Sequence, residues 1–189
     1  MSRPTLKTPP AEQPVTLAEV KAHCVVDFSD DDTLLTGLIG AAVAHLDGFR
    51  GILGRAIITQ TWSLSQARLR RDFTLPVPDV SAVSITYVDA DGVELTVPDE
   101  YVSVYPVACG SRVVLSPDFS APALQSLNEA PVTVDFTCGY GAAADVPQSI
   151  KLAIFMLVAT WYEQRTDGEE KSLPSWFDAV ISPARWVSV

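Results

Sequence analysis

Two histidines and three cysteines are the residues that could most readily supply a general base or a nucleophile. His23 and Cys24 are adjacent, and neighbours on a helix do not face each other, so they cannot form a catalytic dyad. His45 has no nucleophile spaced to face it, and an unfamiliar hydrolase would have to build its site around this residue. Cys24, Cys109 and Cys138 show no C-x-x-C spacing, which favours three buried free thiols in a reducing compartment. We predict that the chain is not an enzyme and uses no cofactor.

Two acidic stretches resemble metal-binding motifs, but each has a local explanation. Residues 29–32 read Ser-Asp-Asp-Asp at the start of a predicted helix, where Ser29 and Asp32 fit a capping box. Consecutive residues at a helix start do not converge on one ion as the ligands of a calcium loop do. Asp89 and Asp91 flank a predicted hairpin turn and lack the further acidic ligands of an EF-hand. We therefore predict no metal site.

A glycine-rich stretch over residues 48–54 superficially suggests a phosphate-binding loop. It lacks the Lys-Ser/Thr pair of a P-loop, and it follows a predicted helix, whose C-terminal end is the negative end of the dipole. The three glycines at 48, 51 and 54 are better explained as the end of that helix.

The overall charge excludes a surface that grips nucleic acid. The net charge is −10, whereas such a surface must be basic to displace counterions from phosphates. DNA could still move along an acidic surface without binding to it. A hydrophobic content of 48% and a charged content of 19% are typical of a folded chain. The N-terminus shows no signal-peptide pattern, so we expect synthesis in the cytoplasm.

The most apolar stretch of the chain is predicted to be one long helix over residues 145–166. Asp145 is a suitable N-cap and Pro147 suits the first turn, while Arg165 and Gly168 form a stop signal. The uninterrupted apolar run is about half the roughly 20 residues that a membrane span needs, which favours a buried helix in a soluble core. Because one small domain cannot easily surround such a helix, we expect part of it to meet a neighbouring subunit.

These elements predict an α+β fold, in which a small helical bundle carries an inserted antiparallel β module. A helical pair is predicted over residues 15–55, with Thr16 and Glu19 as a capping box, and the β module over 56–138. The period-two pattern gives its clearest hairpin at 83–97. Residues 1–14 contain four prolines and predict an extended arm that a partner would have to hold. Residues 167–189 are a C-terminal tail.

The tail combines tryptophans with an arginine, as the anchors of protein interfaces do. Trp176 and Phe177 could equally cap the chain's own core, and an interface is favoured for Trp186.

The order and spacing of the segments resemble the head-tail connector (adaptor) proteins of long-tailed phages, prophages and gene transfer agents. The resemblance runs from about Val15 to Trp186 and depends on shared order, since no single motif is specific. The N-terminal half carries it in TLAEVKAH, VDFSDDDTLL and GRAIITQTW, and the C-terminal half in FTCGYG, VPQSIK, WYEQR and SPARW. Cys138 departs from the small residue expected at that position.

This resemblance implies a non-catalytic ring of twelve copies that docks beneath the portal of a DNA-filled head. Such a ring extends the DNA channel, binds the next tail-side connector or stopper protein, and contacts no membrane. The tail would bind the portal through five residues: Trp176, Phe177, Pro183, Arg185 and Trp186. Candidates for contacts between copies are four residues of the helices: Leu38, Val43, Phe155 and Trp161.

The alternative is a non-catalytic module that binds a small ligand or peptide through the β region. A monomer with a deep polar pocket would favour that alternative over the connector.

Overall fold

A computed structural model of the chain describes residues 3–120, 122–164 and 175–186. The predicted α+β class is confirmed, with four α-helices and eight strands in the described residues. The helices are α1 Leu17–Cys24, α2 Asp32–Leu46, α3 Gln148–Gln164 and α4 Phe177–Ile181. The strands are β1 Thr5–Thr8, β2 Gln60–Gln66, β3 Asp72–Leu75, β4 Val80–Val88, β5 Glu94–Thr96, β6 Val102–Val107, β7 Gly110–Leu115 and β8 Val132–Cys138. None of the described helices is long and apolar enough to cross a membrane.

The chain divides into two compact units that alternate along the sequence. Among the described residues, 11–58, 140–164 and 175–186 form a helical unit, and 3–10, 59–120 and 122–139 form a β unit. The β unit is therefore inserted in the sequence between the two halves of the helical unit.

Helix α1 begins with the capping box that the sequence predicts. The Thr16 side chain accepts a hydrogen bond from the Glu19 backbone N–H, and the Glu19 carboxylate accepts one from the Thr16 N–H at 2.7 Å. These bonds satisfy two N–H groups that a helix start otherwise leaves unpaired. The bond from the Thr16 backbone is the main reason why the pKa of Glu19 lies below its usual value.

Replacing Thr16 with alanine should lower the free energy of unfolding by about 1 kcal/mol, because the first turn of α1 loses its cap. The matched control is Ser29→Ala, since Ser29 is predicted as a cap but Asp31 occupies the N-cap position of α2. That control should stay within about 0.5 kcal/mol of the wild type. Urea titration measures both, and equal effects of the two substitutions would show that the box contributes nothing.

The core of the helical unit lies where α2 and α3 pack together, with α1 and α4 against them. Buried positions recur at helical spacing on the two long helices, as the stripe on α2 predicts. They are Leu35, Ile39, Ala42 and Leu46 on α2, and Ile150, Ala153, Ile154, Met156, Leu157 and Val158 on α3.

The glycine-rich stretch after α2 ends that helix, with Gly48 and Gly54 at positive φ, as predicted.

The β unit contains a five-stranded antiparallel sheet in the order β1-β2-β8-β4-β5. Central strand β8 alternates buried and half-buried residues, as a strand with one covered face should. The predicted hairpin is confirmed as β4 and β5, and the Asp89 carboxylate accepts from the N–H groups of Asp91 and Val93 in the turn. The Asp89 side chain thus stabilises the turn, as predicted, and Asp91 takes part through its backbone N–H.

A second sheet of three strands has the order β3-β7-β6, with β3 at its edge. Arg112 on β7 pairs with Asp72 on β3, and this bond from the guanidinium holds the pKa of Asp72 below its usual value. Gly110 is required where β7 begins, because its φ is +137° and an added Cβ would lie 1.9 Å from the Leu75 carbonyl oxygen.

The predicted starts of two helices, α2 and α3, and of one strand, β2, are wrong. Helix α2 begins at Asp32, whose carboxylate is bound to Lys21 at 2.6 Å, so Ser29 and Asp32 form no capping box. Helix α3 begins at Gln148, because Asp145 instead caps a short 3-10 turn by accepting from the Ala142 N–H. The stop signal at Arg165 and Gly168 lies outside the described residues.

Strand β2 starts at Gln60, three residues later than the apolar run suggests. Ile57 and Ile58 are buried in the core of the helical unit instead. Part of the predicted N-terminal arm is also a strand: Thr5–Thr8 pairs with β2 of the same chain. These four residues therefore need no partner to be held.

Candidate functional site

The C-terminal segment 175–186 is anchored to the helical unit by apolar side chains. Phe177 is only 4% exposed, and Ile181 and Ala184 are also buried in the helical core. Helix α4 packs against α3 of the same chain. Burying these three side chains holds the segment in place, since each large apolar side chain contributes about 1.5–3 kcal/mol when buried.

The loop at residues 53–55, between α2 and β2, binds residues 184–186 of this C-terminal segment. The Leu53 carbonyl accepts from the Trp186 backbone N–H at 2.7 Å, and the Arg55 guanidinium donates to the Ala184 carbonyl at 3.2 Å. The same guanidinium lies 4.6 Å from the centre of the Tyr140 ring. Gly54 permits the close approach, since its φ is +64° and an added Cβ would lie 2.4 Å from the Trp186 carbonyl oxygen.

The five predicted portal-binding residues therefore divide into two groups. Trp176 is 51% exposed, and Pro183 and Arg185 are also exposed, so these three can meet a partner. Phe177 lies in the chain's own core and Trp186 is half-buried beside Gly54. Phe177 packs in the core of its own chain, and the interface role predicted for the half-buried Trp186 stays a prediction.

The four predicted contacts between copies are all half-buried residues at the margin of the helical core. Leu38 and Val43 lie on α2, and Phe155 and Trp161 on α3. Phe155 stacks on His23 with ring centres 5.3 Å apart, and Trp161 meets His45 edge-on at 6.1 Å. Each residue retains an exposed part that a second copy could cover, and no contact between copies is tested by a single chain.

The histidines and cysteines do not assemble into a reactive centre. Burial, followed by the nearby Glu163 carboxylate, raises the pKa of the Cys24 thiol, so that thiol stays protonated and is a poor nucleophile. Both histidines pair with aromatic rings. The prediction of three buried thiols is wrong, because only Cys138 is buried, while Cys24 is half-buried and Cys109 is exposed at the turn between β6 and β7. Among the described residues no group of three or more His, Cys, Asp or Glu is placed to hold a metal ion.

Two small cavities bear on the alternative of a ligand-binding β unit. One, of about 180 Å³, is lined by Gln66, Ala67, Arg68 and Arg70. The other, of about 280 Å³, lies between β4 and β6. Both are below the roughly 300–1,000 Å³ of pockets that hold small molecules. In the part of the chain that the structure describes, the side-chain amide of Gln66 is buried without a hydrogen-bond partner. Burying this amide therefore costs desolvation free energy that no hydrogen bond offsets.

Replacing Gln66 with methionine, which has a similar shape and no amide, should leave the free energy of unfolding unchanged or raise it by about 1–2 kcal/mol. The reason is that the substitution removes two buried polar atoms without partners. Urea unfolding provides the measurement. Gln60→Met is the comparison, since the Gln60 side chain is equally buried on the same strand but does interact with other residues. A loss of stability in Gln66→Met as large as in Gln60→Met would contradict this view.

Comparisons with known proteins decide between the two functions. Residues 14–84 match the family model of phage gp6-like head-tail connector proteins. Three solved chains match over all of this chain and 97% of their own length. They belong to the neck of an empty gene transfer agent particle computed with C6 symmetry (25% identity, TM-score 0.77), the virion of a native particle (25%, 0.77), and the neck of a native particle computed with C12 symmetry (26%, 0.74).

The resemblance to head-tail connectors is confirmed. It extends over the whole chain, so both the helical and the β unit have counterparts in the solved chains. A search of curated proteins found no match. The combination of connector family and neck structures supports a structural connector role.

Proposed function

We propose that the chain is one subunit of a closed ring that docks under the portal, extends the DNA channel and joins head to tail. The observation that carries this proposal is the whole-chain similarity to neck chains computed with sixfold and twelvefold symmetry. Closure requires a heterologous contact repeated by rotation. The net charge of −10 is compatible with DNA passage, because an acidic ring does not retain phosphates. Twelve copies are the expected number.

The portal contact is assigned to the C-terminal segment 175–186. Trp176, Pro183 and Arg185 form its exposed surface, while Phe177 and Ile181 hold it on the helical core. The contact thus combines an aromatic anchor with a rigid support, which lowers the ordering cost of binding.

Replacing Trp176 with alanine should weaken portal binding roughly 30-fold, as expected for a central aromatic anchor worth about 2 kcal/mol. The fold should not change, because half of this side chain is exposed. Leu127→Ala is the matched control, since Leu127 is an exposed apolar residue of the β unit.

Binding to purified portal rings, followed by biolayer interferometry, measures both variants. Wild-type affinity in Trp176→Ala would exclude this residue as an anchor. Wild-type protein that binds no portal at any concentration would contradict the proposed function itself.

A further inference from the structure

The five-stranded sheet ends in two edge strands that differ in charge. In the described residues no strand lies on the outer side of β1 or of β5. The β1 end carries Arg3 and Lys7, and the first acidic residue of the sequence is Glu12. The β5 end belongs to a stretch with no lysine or arginine between Arg71 and Arg112, but with acidic residues at and near the hairpin, including Glu94. One edge is thus basic and the other acidic.

Each edge strand also exposes apolar side chains. Leu6 on β1 is 46% exposed, Leu95 on β5 is 39% exposed, and Val93 just before β5 is 51% exposed. An edge strand is a template for further pairing, and isolated edges are commonly protected by charge or by short length. Both edges here are short, but each places an apolar residue beside a charged one. This pattern favours pairing with a specific partner strand over a role in preventing unwanted strand pairing.

The register of the sheet places these side chains on matching faces. Leu6 lies opposite Trp62, Trp62 opposite Phe136, and Phe136 opposite Val83. Along β4 the same face continues through alternate residues from Val83 to Tyr87, and Tyr87 lies opposite Leu95. Leu6 and Leu95 therefore share one face of the sheet.

The charged residues of the two edges share the other face. Lys7 reaches Asp135 at 2.5 Å, and Asp135 lies opposite Ser84 on β4. Alternate residues from Ser84 lead to Val88, which pairs with Glu94. A neighbour that extends the sheet would thus bring apolar residues together on one face, while on the other face Lys7 stays paired with Asp135 of its own chain.

Strand direction fits a neighbour related by rotation. Four antiparallel steps separate β1 from β5, so the two strands run in the same direction within one chain. A copy placed beside β5 by a modest rotation keeps its strand directions and its faces. Its β1 would therefore lie parallel to β5, with Leu6 beside Val93 and Leu95.

We propose that neighbouring copies in the ring join edge to edge, with β1 of one copy extending the sheet of the next at β5. This inference rests on the proposed function, because it assumes a ring. The contact is heterologous, joins two different surfaces of the same chain, and repeats by rotation as ring closure requires. Apolar pairs between neighbouring strands stabilise such pairing.

Cysteine cross-linking tests the edge pairing in the full chain. In a Cys109→Ser background, which removes an exposed thiol, Leu6→Cys and Leu95→Cys are introduced together. Within one chain these positions are four strand spacings apart, roughly 19 Å, which is too far for a disulfide. Between paired strands of two copies they come within about 5 Å. Oxidation of rings assembled on portal-bearing heads should give a ladder of covalent oligomers up to the closed ring.

Three outcomes are informative. The matched control, Leu6→Cys with Leu127→Cys, should give no ladder, because Leu127 is exposed but lies on neither edge strand. Rings that form without a Leu6–Leu95 cross-link, or a ladder that is equally strong in the control, would overturn the edge pairing and leave the connector role intact. Failure of the wild-type chain to form any ring would overturn the proposed function and the pairing with it.

Discussion

Replacing Gly54 with alanine is expected to release the C-terminal segment from the helical unit. Alanine at a φ of +64° costs about 1–2 kcal/mol in backbone strain alone. Its Cβ would also lie 2.4 Å from the Trp186 carbonyl oxygen, and no flexible side chain is there to move away. The bond from the Trp186 N–H to Leu53 should therefore break, and portal binding through this segment should fall with it.

Limited proteolysis measures this release, with cleavage expected near the C-terminus in Gly54→Ala and not in the wild type. Gly37→Ala provides the matched control, because Gly37 lies inside α2 with nothing within 4 Å of an added Cβ. That control should stabilise the chain by about 0.5–1 kcal/mol. A Gly54→Ala chain that resists proteolysis and binds portal as the wild type does would contradict the assigned role of this glycine.

Replacing Leu157 with alanine should lower the free energy of unfolding of the helical unit by about 2–5 kcal/mol. Leu157 is fully buried in the middle of α3, so its loss removes apolar contacts and leaves a cavity that the packed helices fill only partly. A loss of this size is a large part of the 5–15 kcal/mol that stabilises a typical domain.

Leu152→Ala is the control for this prediction, since it is the same substitution on the same helix at a side chain that is 36% exposed. Its effect should be clearly smaller than that of Leu157→Ala. Chemical denaturation followed by far-UV circular dichroism distinguishes the two. Equal losses would show that α3 is not packed as a one-sided core helix.

Elements with local signals were predictable from the sequence. Thr16 and Glu19 are three residues apart, and the β4–β5 hairpin has its turn aspartates next to the strands they join. Their hydrogen bonds depend on residues close in sequence, so the pattern alone specifies them.

Elements that depend on distant residues were missed or misplaced. Strand β1 has four exposed residues and no alternation, and it forms because β2 offers an edge more than fifty residues away. Helix α2 starts at Asp32, and the Asp32 carboxylate binds Lys21 on α1, a partner that the local capping pattern does not indicate. Ile57 and Ile58 left the strand pattern because the helical core buries them.

In the candidate site, too, local features could be predicted from the sequence and contacts between distant residues could not. Tryptophans beside an arginine signal an interface, but only packing reveals that Phe177 serves as a support while Trp176 is exposed. The two sheet edges carried no sequence signal beyond their charge, because the match between Leu6 and Leu95 depends on a register that runs through five strands.

Cryo-electron microscopy of the chain mixed with its portal, reconstructed without imposed symmetry, tests the central claim most directly. The account predicts a closed ring of copies coaxial with the portal, with segment 175–186 of each copy at the portal surface. A chain that remains monomeric beside unoccupied portals, at concentrations well above those in an infected or particle-producing cell, would contradict it.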